Sequence, residues 1–144
     1  MELKMRALKP DDYDALIALW KNAGLPHRPE GRDSRASITD QVERDSGLFL
    51  GAFRGEQLVG SVIGTYDGRR GWLNRVAVDP AERRKGVAKT LLEKMEGLLR
   101  ERGARIIAVL VDEENTASLS IFRSLDYKVH RDILYLTKRD SEQV

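Results

Sequence analysis

Residues 76–92 read VAVDPAERRKGVAKTLL, and the rest of the chain is organised around this junction. Val76, Ala77 and Val78 close a β-prone segment at Asp79-Pro80, the basic turn Arg83-Arg84-Lys85-Gly86 follows, and an amphipathic helix begins at Val87 without a gap. The first backbone N–H groups of a helix have no intrahelical acceptor, and the helix dipole adds positive potential at that end. Three cations placed there conflict with the dipole, and an anionic ligand resolves the conflict. Gly86 lets the backbone approach closely, while Ala88 keeps the first turn thin. The arrangement suits a phosphate.

Working outward, Val87, Ala88, Leu91, Leu92, Met95, Leu98 and Leu99 recur at helical spacing, and Gly103 supplies the stop. Arg105 to Val111 contains the apolar run IIAVL, which predicts a strand buried on both faces beside the one that ends at Val78. A further helix is predicted over Asn115 to Leu125, and two short strands or a bent hairpin over Tyr127 to Lys138. Upstream, Trp72 to Val78 reads as a strand, and Leu48 to Phe53 and Leu58 to Tyr66 read as a hairpin around Arg54-Gly55-Glu56-Gln57. Gly60 and Gly64 share one face of the second hairpin strand, where they ease packing or bending. Glu2 to Leu8 alternates like a half-buried strand, and Tyr13, Leu16, Ile17 and Trp20 mark a helix ended by Gly24. Leu25 to Asp33, with two prolines and a glycine, is a loop, and Ser34 to Asp45 a short helix carrying Ile38 and Val42 inward.

The 144 residues predict one domain, with no repeat or linker. A net charge of +2 is too small to indicate nucleic-acid binding, and no aromatic and basic interleaving accompanies Arg69-Arg70 or Arg83-Arg84-Lys85. Without cysteine, disulfides and thiolate chemistry are excluded, and His27 and His130 lack metal-ligand spacing, so no metal is expected. No apolar run reaches membrane-spanning length and Met1-Glu2-Leu3-Lys4 does not open a signal peptide, which predicts a cytoplasmic protein with no membrane partner.

Neither the P-loop pattern G-x-x-x-x-G-K-[ST] nor the dinucleotide pattern G-x-G-x-x-G occurs. What remains is Arg83-x-x-Gly86-x-Ala88. Lying between strand and helix, and followed by a strand and then by Asn115 to Phe122 with Leu125-Asp126-Tyr127, it resembles the [QR]-x-x-G-x-[GA] signature of the GNAT N-acetyltransferase family. The resemblance spans nearly the whole chain and is weakest between Leu25 and Asp45.

It implies one α/β (α+β) GNAT domain over residues 1–144, with a mixed, mostly antiparallel sheet, a central parallel strand pair that splays apart, and flanking helices. It implies acetyl-CoA as acetyl donor. Backbone groups of Val76 and Val78 would hold the pantetheine arm, and amides of Arg84, Lys85, Gly86, Val87 and Ala88 the pyrophosphate. Arg83, Arg84, Lys85 and Lys89 would add charge, and Asn115 would contact the cofactor or a nearby water while also capping its helix. Phe122 stands where many family members carry a tyrosine general acid, and Phe cannot donate a proton.

The resemblance also implies that a base is missing, because Trp72 and Leu110 occupy the places where relatives often carry glutamate, and Asn74, Arg75 and Val109 nearby offer no carboxylate. Tyr66, Tyr127, Tyr135 and Glu113 are the remaining catalytic candidates, with Asp67, Asp112 and Glu114 able to act through water. The expected activity is direct attack by a primary amine of a small molecule, peptide or protein on acetyl-CoA. The alternative is a non-catalytic CoA-binding or regulatory module. A homodimer through C-terminal edge strands completes the expectations.

Overall fold

The structure is a computed structural model that describes residues 2–45, 47–142 and 144. These fall into two compact units, Met1–Leu110 and Val111–Val144.

The first unit is an α/β layer built on one five-stranded sheet, β1 (Leu3–Ala7), β2 (Phe49–Arg54), β3 (Gln57–Tyr66), β4 (Arg70–Val78) and β5 (Ile106–Val109), ordered as in the chain. The first four strands are antiparallel neighbours, and β4 and β5 run parallel, joined by the crossover helix α3 (Val87–Arg102). Parallel neighbours need such a crossover, whereas β2 and β3 turn tightly through Gly55 at φ +60°.

Alternation along the strands separates two cores. On one face, α1 (Tyr13–Asn22) and α2 (Arg35–Arg44) bury Leu16, Leu19, Trp20, Ile38 and Val42 against Phe49, Phe53, Leu58, Ile63 and Ala77. Ser34 starts α2 by accepting a hydrogen bond from the Ser37 amide at 3.2 Å, which satisfies one orphan donor of the first turn. On the other face, the α3 stripe Val87, Leu91, Leu92, Met95 and Leu99 is buried. Gly60, Gly64 and Gly71 admit it: a Cβ at Gly64 would lie 2.5 Å from Met95 Sδ, and one at Gly71 2.9 Å from Leu99 Cδ1. The glycines expected to ease packing do so against α3.

In the second unit α4 (Thr116–Ser124) is capped by Asn115, whose side chain accepts from the Ser118 amide at 3.1 Å. The strands or hairpin expected over Tyr127 to Lys138 are absent among the described residues. A strand exists only through ladder bonds to a neighbour, and this segment meets no second strand in its unit. Ile133, Leu134, Tyr135 and Leu136 are consequently 68–84% exposed. Within the first unit the parallel pair stands at one end of the strand order. The double-sided burial expected for Arg105 to Val111 also fails: β5 is four residues long, with Ile106 53% exposed, because no strand of its unit lies beyond it.

Candidate active site

The last pair between β4 and β5 is Leu73 with Val109, so Asn74 to Val78 run on with β3 on one side and, among the described residues of the unit, no strand on the other. This is a splay, and it leaves the backbone groups of Val76 and Val78 on that edge outside any ladder. A bulge reinforces it. Ser61 pairs with Ala77 and Ile63 with Asn74, so Val62 alone faces both Arg75 and Val76, and Arg75 takes φ +53°. Asn74 and Ala77, three apart, thereby lie on the same face.

Beyond Asp79, whose carboxylate accepts from the Ala81 amide at 2.9 Å, the chain reaches the basic turn. Arg84 and Gly86 both adopt left-handed conformations, at φ +66° and +78°, and Gly86 caps α3. A Cβ on Gly86 would meet nothing within 4 Å, so the space before it is open. The first backbone hydrogen bond of the helix runs from Thr90 N–H to the Gly86 carbonyl at 3.1 Å, and the amides of Val87, Ala88 and Lys89 precede it. Glu82 engages Arg54 at 3.0 Å and Lys85 at 4.0 Å, while Arg83, Arg84 and Lys89 are exposed and form no ion pair among the described residues. Positive charge and unbonded amides thus converge at the end of the splay.

The acetyltransferase (GNAT) family model matches residues 13–127. The chain belongs to the GNAT acetyltransferase family. Acetyltransferases of Sodalis glossinidius and Pectobacterium atrosepticum are 34% and 35% identical to it over 137 residues, in each case 95% of both chains. The crystal structure of the PaiA N-acetyltransferase of Thermoplasma acidophilum in complex with coenzyme A shares the fold, with a TM-score of 0.80, 22% identity and coverage of 90% of this chain and 92% of that one.

Measured against this GNAT frame, the residues expected to bind donor separate into two groups. Val76, Val78 and Arg83 to Lys89 lie consecutively in the first unit, along the open edge and around the start of α3. Asn115 and Phe122 lie in the second unit, Asn115 as the α4 cap and Phe122 buried edge-on against Tyr127, ring centroids 5.1 Å apart at 71°.

The catalytic candidates have other partners. Tyr66 pairs with Gly71 at the start of β4 and its hydroxyl lies 3.0 Å from where a Gly103 Cβ would be, at the C-terminal end of α3. A helix of that length puts it about 24 Å from the basic turn. Tyr135 is exposed, and Glu113 pairs with Arg131 at 3.6 Å. Asp67 accepts from the Arg69 and Arg70 amides at 2.8 and 2.7 Å and from Trp72 Nε1 at 3.3 Å. Those bonds, Arg70 first, hold its pKa below the usual carboxylate value, which makes it a turn cap and a poor base. Asp112 accepts from the Glu114 amide at 2.9 Å. Among the described residues no cluster of His, Cys, Asp and Glu is arranged to hold a metal, and no helix is long and apolar enough to cross a membrane.

Sequence reasoning missed the support of the bulge. Trp20 Nε1 donates to Ser61 Oγ at 3.0 Å, and Ser61 Oγ donates to the Arg75 carbonyl at 3.0 Å, both side chains being fully buried. The Arg75 guanidinium stacks 4.9 Å over Trp20, donates to Asp33 Oδ2 at 2.9 Å and donates to the Pro26 carbonyl. Burial pulls the Arg75 pKa down and the Asp33 charge opposes it. The one available signal was Ser61, a hydroxyl in the middle of the otherwise apolar run from Leu58 to Gly64. Beside the bulge opens a cavity of about 230 Å³, lined by Asp33, Asp45, Phe49, Thr65, Asn74 and Arg75 among others.

Proposed function

We propose that the protein transfers the acetyl group of acetyl-CoA to a primary amine of a small molecule, peptide or protein by direct attack in a ternary complex. The observation that carries this reading is the unladdered Asn74–Val78 edge leading into the unpaired cations and free amides of the α3 start. An extended pantetheine arm can add to such an edge through Val76 and Val78, and a pyrophosphate suits the amides from Arg84 to Ala88. The coenzyme A bound to the Thermoplasma neighbour supports the same donor. Asn115 and Phe122 join the donor site in this reading on family resemblance.

In the transfer, a C–N bond forms as the C–S bond breaks, sulfur leaves as thiolate, and the amine proton leaves through water. Phe122 offers no proton, yet a general acid is worth about 10²- to 10⁴-fold while positioning two reactants supplies effective molarities of about 10⁵ M or more. A thiol with a pKa near roughly 8.5 is a tolerable leaving group unaided. The reading takes residues 1–144 as one cytoplasmic N-acetyltransferase domain working without a metal. It includes a homodimer through the exposed C-terminal segment, which sedimentation of the wild type and of a Leu136→Lys variant tests.

Thiol release should be followed with acetyl-CoA and a panel of amines, peptides and aminoglycosides; turnover with at least one class is the expected result. Silence across the panel, with coenzyme A binding demonstrated by calorimetry, would favour the second reading, a non-catalytic CoA-binding module, which Phe122 packed against Tyr127 supports.

A further inference from the structure

Arg75 adopts a left-handed conformation that glycine would reach without strain, so an arginine there calls for a contribution from its side chain. That side chain engages three partners. Pro26 and Asp33 belong to the loop between α1 and α2, and Trp20 belongs to α1. Asp33 is buried and closes the loop on itself: its Oδ2 accepts from the Arg28 amide at 2.7 Å, its own amide donates to the Arg28 carbonyl at 3.0 Å, and its carbonyl accepts from the Tyr13 hydroxyl at 2.7 Å. The guanidinium therefore holds a loop that is already internally tied, and holds it to the strand edge at the point where β4 leaves β5.

We propose that Arg75 is a positioning residue for the acceptor: with Asp33 it clamps segment 26–33 onto the β4 bulge and sets the width of the cavity beside it. This inference rests on the acetyltransferase reading and deepens it. The cavity has Arg32 and Asp33 on the clamped loop and Thr65 and Asn74 on the sheet, with Phe49 between the strands and α2. Gln41, Asp45, Thr65 and Asn74 also line it, and their side chains make no hydrogen bond among the described residues, which leaves them available to a polar amine. Loosening the clamp moves one wall and leaves the start of α3 untouched. The acceptor side and the donor side should consequently respond separately.

Four variants, Arg75→Gly, Arg75→Ala, Arg75→Lys and Asp33→Asn, test this. Arg75→Gly removes the guanidinium and relaxes the backbone, so it stays foldable if Arg75→Ala does not. Hydrogen exchange of the free protein should show the Arg28, Gly31 and Asp33 amides opening at least tenfold faster in Arg75→Gly, with α3 amides unchanged. With the best amine of the panel, its KM should rise at least tenfold in Arg75→Gly and Asp33→Asn, while calorimetric affinity for coenzyme A stays within twofold of wild type. Arg75→Lys, which keeps the charge but cannot span the same partners, should fall between. Wild-type exchange and acceptor KM in Arg75→Gly would overturn the proposal, as would a parallel loss of coenzyme A affinity, which assigns Arg75 to the donor side. If wild type acetylates no amine, the acetyltransferase reading fails on that result, and the clamp stands or falls on the exchange measurement.

Discussion

Gly86 stands at φ +78° before open space, with the first helical amides just behind it. A Cβ there meets no protein atom, so its cost is the strain of a left-handed alanine together with obstruction of whatever anion approaches the amides. Gly86→Ala should raise the acetyl-CoA KM about tenfold, roughly 1.4 kcal/mol of binding, while the acceptor KM holds; steady-state kinetics with both substrates varied checks it. This residue and its basic neighbours were legible in the sequence because a motif of consecutive residues keeps its geometry wherever the strand and helix lie. Arg75 was not legible, since its partners Trp20, Asp33 and Ser61 are 14 to 55 residues away in the chain and meet only through the bulge.

The start of α3 behaves as one electrostatic unit. Lys85 is partly neutralised by Glu82, whereas Arg84 and Lys89 form no ion pair among the described residues. Each exposed unit charge within about 4 Å of a phosphate contributes on the order of 1 kcal/mol in water, and salt screens it over about 10 Å at 0.1 M. The double variant Arg84→Ala/Lys89→Ala should bind coenzyme A roughly tenfold or more weakly at low salt and should lose much of the wild type's salt dependence, as titrations between low and high ionic strength would show. The helix itself was predicted within a residue or so by its apolar stripe and by Gly103. β5 was not predicted correctly in its surroundings, because an apolar run reports a preference for burial and cannot report whether a further strand exists to supply it.

Across the first unit, the separation of the two cores depends on glycine at Gly60, Gly64 and Gly71 as much as on apolar side chains. Gly64→Ala would drive a methyl group into Met95, 2.5 Å from its sulfur, and such overpacking typically costs about 1–3 kcal/mol. Thermal unfolding of Gly64→Ala should therefore begin several degrees below wild type, and in a double-mutant cycle Gly64→Ala should cost less in a Met95→Ala background, itself destabilised by loss of a buried side chain, than in the wild type, because the methyl then has room.

From sequence alone came the order of strands and helices through α4, the parallel crossover, the succession of strand, basic turn and helix over residues 76–92 and the family, all consequences of local periodicity, turn chemistry and contiguous motif. Only tertiary structure decided where β4 parts from β5, that a buried tryptophan and serine support the bulge, that Asp67 is a turn cap and Tyr66 lies at the far end of α3, and that 127–138 forms no strand among the described residues. Those outcomes depend on which distant residues share a face or an edge, and a chain encodes such meetings only through the packing of the whole.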